Sequence, residues 1–230
     1  NIYSEIQKDM LRPVFISSLM AHDTFVRDWI LAGESNPAQI VRYLAEVKKK
    51  YGAITSFLVS DKSSKYYYAE GTLKSVSPEA TRDIWYYRVR AMDSTDYETN
   101  VDVDMANRDS MTIFINHRVY DYDGQFIGAT GIGLTLDTMS HIIDRYQARF
   151  HRNIYFVDDT GALVLSGKTM RNGHGNIRKL PGVNAIAEQI INHQSEPTHL
   201  SYELGRAQIL VNSRYIPELG WYLVVEQNVS

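Results

Sequence analysis

The chain has no cysteine, which removes disulfide bridges, thiolate-ligated zinc and thiol nucleophiles in one step. That absence fits a reducing cytoplasm and a bacterial periplasm equally, so it leaves the compartment open. No apolar run approaches the roughly 18 residues a membrane-spanning helix needs, and no charged-then-apolar leader opens the sequence. Positive charge is not concentrated either: 24 Lys and Arg against 27 Asp and Glu give a formal net charge of −3. Without a basic stripe, nothing points to a nucleic-acid partner. What is present is ordinary for a packed protein, with 44% hydrophobic and 22% charged residues over 230 positions, enough for one or two modules. The pattern starts in mid-helix at Asn1 and stops just past a strand-like run at Ser230, so a segment of a longer protein is expected.

From Ile6 to Ile30, apolar residues such as Leu11, Val14, Phe15, Leu19, Val26 and Ile30 recur at steps of three and four, the period of a helix face. Pro13 removes a backbone hydrogen bond inside that run and predicts a kink or restart there. Ser35-Asn36-Pro37 reads as a capped start for a second helix ending at Tyr51-Gly52. The period then changes. Ile54 to Val59 and Tyr66 to Ala69 are strand-like, Pro78 to Ala91 is helical, and Met111 to Asp121 with Phe126 to Leu136 forms a hairpin through Tyr122-Asp123-Gly124. Asp137 is placed to cap a helix to Phe150. Strands then return at Asn153 to Val157 and Ala162 to Leu165, a helix at Pro181 to His193, and three strands at Thr198 to Leu204, Ala207 to Tyr215 and Trp221 to Gln227.

Two segments recur in order. Ser56-Phe57-Leu58-Val59-Ser60-Asp61 matches Ile154-Tyr155-Phe156-Val157-Asp158-Asp159 at a spacing of 98, and Ile113 to Arg118 matches Ile209 to Arg214 at a spacing of 96. The repeated unit holds a strand pair, a helical excursion and a terminal hairpin. It predicts an α+β fold: a long N-terminal helix followed by two tandem PAS-like modules, each an antiparallel sheet with flanking helices. The boundaries read as 1–36 for the helix, 37–137 for the first module and 138–230 for the second. Asn116 and Asn212 recur at matching positions of the repeat, which favours a structural role for both.

The long helix with an internal proline, the strand Phe57-Leu58-Val59-Ser60-Asp61, the pair Trp85-Tyr86 and the run from Gly128 to Asp137 together resemble the double-Cache sensor domains. The resemblance covers nearly the whole chain. It implies an extracytoplasmic, periplasmic ectodomain of an inner-membrane receptor, anchored by flanking helices, dimeric through the N-terminal helix, and coupled to a histidine kinase, diguanylate cyclase or chemoreceptor output. It also implies that the first, membrane-distal module binds a small organic acid or amino acid while the second relays the signal. The family's amino-acid binders carry an Arg just before a Trp-Tyr pair, then a Tyr and an Asp that holds the ammonium. In this chain Arg82 stands one residue farther from Trp85-Tyr86, Tyr97 and Asp102 offer the downstream pair, and Gly133 lies where the strand's aspartate is expected.

The residues themselves support such a site. Arg82, Trp85, Tyr86 and Val89 fall at i, i+3, i+4 and i+7, so a helix would bring guanidinium, indole and phenol to one face. Tyr66-Tyr67-Tyr68 must put a ring on each face of a strand, and Tyr68 is the one assigned to the ligand, together with Tyr97, Asp102, Thr112 and Gly133. The competing readings are that Trp85 and Tyr86 are core, and that Arg82 pairs with Asp83 or Glu79. Asp102, Asp104 and Asp109 lack the spacing of a calcium loop, and the histidines, among them His151, His174, His193 and His199, lack zinc-site spacing. No Gly-x-Ser-x-Gly elbow occurs. Neither catalysis nor a cofactor is expected; the rival readings are a protein-binding or ligand-free relay module, and an enzyme whose site is unrecognised.

Overall fold

The computed structural model describes residues 1–103, 111–167 and 175–230. The chain divides into two compact units, Arg12–Thr135, and Leu136–Ser230 together with Asn1–Leu11. Each is an antiparallel sheet with helices, so the fold is α+β as the sequence predicts. Asp104, Asp109 and His174 lie outside the described residues. Among the described residues no helix is long and apolar enough to cross a membrane.

The helical run from the N-terminus is broken once, but not at Pro13. Helix α1 (Ile2–Ala21) continues through that proline, and α2 (Thr24–Leu31) follows after a break at His22-Asp23. The break has a chemical cause: the Asp23 carboxylate accepts from the Phe25 N–H at 2.9 Å and caps α2. Helix α3 (Pro37–Tyr51) ends at Gly52 in the left-handed conformation, as expected. Its start differs, because Asn36 is itself left-handed and its side chain caps nothing. The preceding turn is held instead by the Trp29 indole donating to the Ser35 carbonyl at 2.7 Å, and by Glu34, whose carboxylate accepts from Ser60, Ser63 and Tyr67 at 2.8, 2.6 and 2.9 Å.

In this unit β1 (Thr55–Ser60), β2 (Lys65–Tyr68), β3 (Gly71–Ser75), β4 (Tyr97–Val103), β5 (Met111–Tyr120) and β6 (Phe126–Thr135) form a sheet of order β3-β2-β1-β6-β5-β4. The sequence reading missed β3, which is short, and β4, whose seven residues alternate Tyr97, Thr99, Val101 and Val103 with the polar Glu98, Asn100 and Asp102. One sheet face packs Leu58, Tyr67 and Ile132 against Met20, Val26, Trp29, Ile40 and Leu44 of the three helices. At the edge of that face His117 lies edge-on to His22 at 5.5 Å and stacks on Tyr97 at 5.7 Å. The other face carries a 3-10 turn (Thr81–Asp83) running into α4 (Ile84–Arg90), where a single helix from Pro78 was expected. A smaller core of Val59, Val76, Tyr86, Val89 and Ala129 sits beneath α4.

The second unit orders β7 (Asn153–Val157), β8 (Leu163–Ser166), β9 (Thr198–Leu204), β10 (Ala207–Ile216) and β11 (Trp221–Asn228) as β8-β7-β11-β10-β9. Helix α5 (Leu136–Phe150) packs on β7 and β8, and its Tyr146 hydroxyl donates to the Glu5 carbonyl at 3.1 Å. The expected helix from Pro181 is a 3-10 turn (Val183–Ala185) and a short α6 (Ala187–Ile191). Its apolar residues fill one sheet face with Tyr155, Val211, Tyr222 and Val224. On that face the buried Glu226 carboxylate accepts from the hydroxyls of Tyr155 and Tyr202.

The sheets correct the reading of the repeat. Phe57 lies in one row with Gly131 and Asn116, whereas its counterpart Tyr155 lies in one row with Val224 and Ser213. Asn212 is therefore one residue out of register, and a one-residue slip turns a side chain to the other face. The two asparagines are not equivalent: Asn116 is on the face of α4, and Asn212 is on the face away from Tyr155.

Candidate functional site

Between the β1–β6 sheet and the turn leading into α4, the Arg12–Thr135 unit holds a partly open cavity of about 710 Å3, within the ~300–1,000 Å3 typical of small-molecule sites. Strand alternation builds its floor in rows. One row runs Tyr68, Phe57, Gly131, Asn116 across β2, β1, β6 and β5, and the next runs Thr55, Gly133, Phe114, Asn100 across β1, β6, β5 and β4. Two glycines in the centre leave the space over β6 to neighbouring rings. A side chain at Gly133 would meet Thr112 Cγ2 and Thr55 Cγ2 at 2.9 Å and Phe114 Cε1 at 3.0 Å, and one at Gly131 would collide with the Ile115 carbonyl. Phe57 stacks with Tyr66 at 5.8 Å and meets Trp85 and Phe114 edge to face at 5.4 and 6.4 Å. The walls are therefore aromatic.

The helical wall is fixed by buried polar contacts. Arg118 Nη1 donates to the carbonyls of Val89, Arg90 and Met92 at 2.7, 2.8 and 2.8 Å, closing the C-terminal end of α4. The Tyr86 hydroxyl donates to Asp61 at 2.6 Å, and burial, then that carboxylate, hold the phenol well above its usual range. Asp83, 1% exposed, pairs with Lys74 of β3 and accepts from the Ser77 N–H at 3.0 Å. Next to lining Asn116, Glu98 accepts from Arg88 Nε and Nη2 at 2.6 and 2.7 Å and from Asn116 Nδ2 at 2.9 Å. The Glu98 carboxylate in turn raises the Arg88 guanidinium pKa.

Of the residues singled out in the sequence, Tyr68, Arg82, Trp85 and Asp102 line the cavity, and Tyr86, Tyr97, Thr112 and Gly133 do not. Arg82 sits in the 3-10 turn and not in an α-helix, so the expected common face splits: Arg82 and Trp85 reach the cavity while Tyr86 and Val89 enter the core. Tyr97 is on the opposite sheet face, stacked on His117. Gly133 belongs to the floor but brings no side chain to it, and Thr112, on the same sheet face, has its Oγ1 buried without a hydrogen-bond partner among the described residues. Arg82 pairs with neither Asp83 nor Glu79, and makes no hydrogen bond or ion pair among the described residues. Lining residues that the sequence did not single out include Phe57, Tyr66, Lys74, Asn100, Phe114 and Asn116. Tyr66 and Phe57 are reachable from Tyr68 by alternation and pairing; Lys74 is not, because the sequence reading assigns no strand to Gly71–Ser75. Among the described residues no three His, Asp or Glu side chains gather as a metal site.

A model of the Cache domain family matches residues 1–230. Among solved structures, the sensory domain of the Campylobacter jejuni chemoreceptor Tlp3 superposes with a TM-score of 0.68 at 13% identity, over 99% of this chain and 91% of that one. The ligand binding domain of Mlp24 with asparagine gives 0.54 at 13% identity, over 98% and 93% of the two chains. An extracellular ligand binding receptor from Desulfohalobium retbaense gives 0.65 at 16% identity, over 98% of this chain and 39% of that one. At such identities the likeness is one of fold.

Proposed function

This chain belongs to the Cache domain family, and from that membership and the cavity we propose that it is the extracytoplasmic sensor segment of a membrane receptor. In this reading the Arg12–Thr135 unit binds a small organic acid or amino acid, and the segment itself carries no chemistry. The observation that carries the reading is Arg82: a guanidinium without an ion partner among the described residues, at the edge of a partly open aromatic cavity, able to meet a carboxylate as a planar fork. Trp85 and Tyr68 supply the walls and Asp102 stands at the rim. Solved neighbours support a ligand-binding role by what they hold, since the Tlp3 sensory domain has been solved in complex with L-valine and the Mlp24 domain with asparagine.

The remainder of the proposal concerns transmission. Ligand capture shifts a two-state arrangement of the first unit, the second unit relays it toward a flanking membrane helix, and a kinase, cyclase or chemoreceptor module reads it out. Phe15 and Leu19, 55% and 68% exposed and one turn apart on α1, favour a homodimer through that helix. Sedimentation of wild type and Phe15→Glu tests it; a monomer in both at high concentration removes the dimer.

The binding reading is tested by a thermal-shift screen of organic acids and amino acids on wild type and Arg82→Ala. A ligand at 100 times its Kd adds about 2.7 kcal/mol to stability. The expected result is a carboxylate-dependent rise in Tm that Arg82→Ala loses. No rise with any acid would move the segment to a ligand-free relay or a protein-binding module.

A further inference from the structure

Resting on that reading of the cavity, we propose a narrower ligand class: a carboxylate on a flat apolar body that lacks an α-ammonium group. The flat body follows from the walls. Phe57, Tyr66, Trp85 and Phe114 form one continuous set of rings at 5.4 to 6.4 Å, stacked or edge to face, and such a set accepts another ring by the same geometry. The carboxylate follows from Arg82, which has no partner among the described residues.

The missing ammonium follows from where the negative charge is spent. Two carboxylates bond to lining residues without lining the cavity themselves, and both are engaged: Glu98 by Arg88 and Asn116, Asp83 by Lys74 and the Ser77 N–H. Because Asn116 gives its amide N–H to Glu98, the one polar group buried in the floor row offers an ammonium at best a neutral oxygen. The carboxylates among the described lining residues, Glu70 and Asp102, are exposed to water at the rim, as Arg82 is. An ammonium carried past the rim would lose its hydration without gaining a buried counter-charge among the described residues, whereas the deaminated acid incurs no such cost.

Calorimetric titration with matched pairs tests this: 3-phenylpropionate against L-phenylalanine, indole-3-propionate against L-tryptophan, and 4-methylpentanoate against L-leucine, on wild type, Arg82→Ala and Asn100→Asp. In wild type each acid is expected to bind at least about tenfold more tightly than its amino acid, the aromatic acids more tightly than the aliphatic one. Arg82→Ala should abolish binding, and Asn100→Asp, which places a carboxylate on the floor, should narrow the ratio. Amino acids that bind as tightly as the acids, with loss in Arg82→Ala, would overturn the ammonium-free class and leave the carboxylate pocket standing. Tighter binding of 4-methylpentanoate than of both aromatic acids would overturn the flat body. No binding of any of the six to folded protein would overturn the pocket itself.

Discussion

Arg118 Nη1 donates to the Val89 carbonyl at 2.7 Å, so a buried guanidinium on β5 closes the last turn of α4. The same nitrogen also reaches Arg90 and Met92, and the guanidinium carbon lies 4.4 Å from the centre of the Phe126 ring. Replacement by methionine keeps the bulk and removes this donor from all three carbonyls, of which Val89's still accepts from the Met92 N–H at 3.2 Å. We predict that Arg118→Met lowers stability in urea by about 3 kcal/mol, with α4 amides exchanging faster before those of β1. Uniform loss of protection would mean that the contact does not hold α4 in particular.

The glycines of β6 separate two kinds of crowding. A methyl at Gly133 meets the ends of three side chains that can yield, whereas one at Gly131 runs into the Ile115 backbone. Gly133→Ala is expected to cost about 1–3 kcal/mol and fold, with weaker ligand binding as the floor rises. Gly131→Ala is expected to disrupt β5–β6 pairing and fail to reach a cooperative unfolding transition. Equal tolerance at both positions would show that the strand can shift to accommodate a side chain.

Tyrosines set an alkaline limit. Tyr67 and Tyr146 are each pushed up to about 12 from 10.0, by burial first and then by the carboxylates of Glu34 and Asp9. A folded-state pKa above the unfolded one means that the native state holds the proton longer. Their contribution is then complete below about pH 10 and is lost as pH rises from 10 toward 12. Urea unfolding from pH 8 to 11.5 should show a decline beginning near pH 10, with a shallower slope in Tyr67→Phe. An unchanged slope in that variant would remove Tyr67 from the account.

Much of this architecture was legible because its signals are local. The period of three and four in α3, the alternation of β5 and β6 and the turn at Gly124 depend on near neighbours, and each element lies within a residue or two of its expected bounds. The misses come from contacts that sequence spacing does not encode. Asp23 breaks the N-terminal run because its side chain serves the Phe25 amide better than helix continuation does, while Pro13, the stronger local signal, is absorbed within α1. Tyr86 and Arg82 share a helical spacing but not a destination, since the 3-10 start rotates Arg82 relative to α4. Asn116 was misread because a sequence repeat can be aligned one residue away from the sheet register that decides its face.

The central claim is that a small carboxylate enters the cavity beside Trp85, and the chain carries its own reporters, three tryptophans in three settings. Trp29 is bonded to Ser35 on the helical face, Trp85 lines the cavity, and Trp221 belongs to β11 of the second unit. Nitrogen-edited NMR of the three indole N–H signals, titrated with the best-bound acid, resolves them in one experiment. The account predicts that the Trp85 signal shifts saturably while Trp29 stays in place, and that Arg82→Ala abolishes the shift. A saturable shift confined to Trp221, or a Trp85 shift that persists without the Arg82 guanidinium, would contradict it.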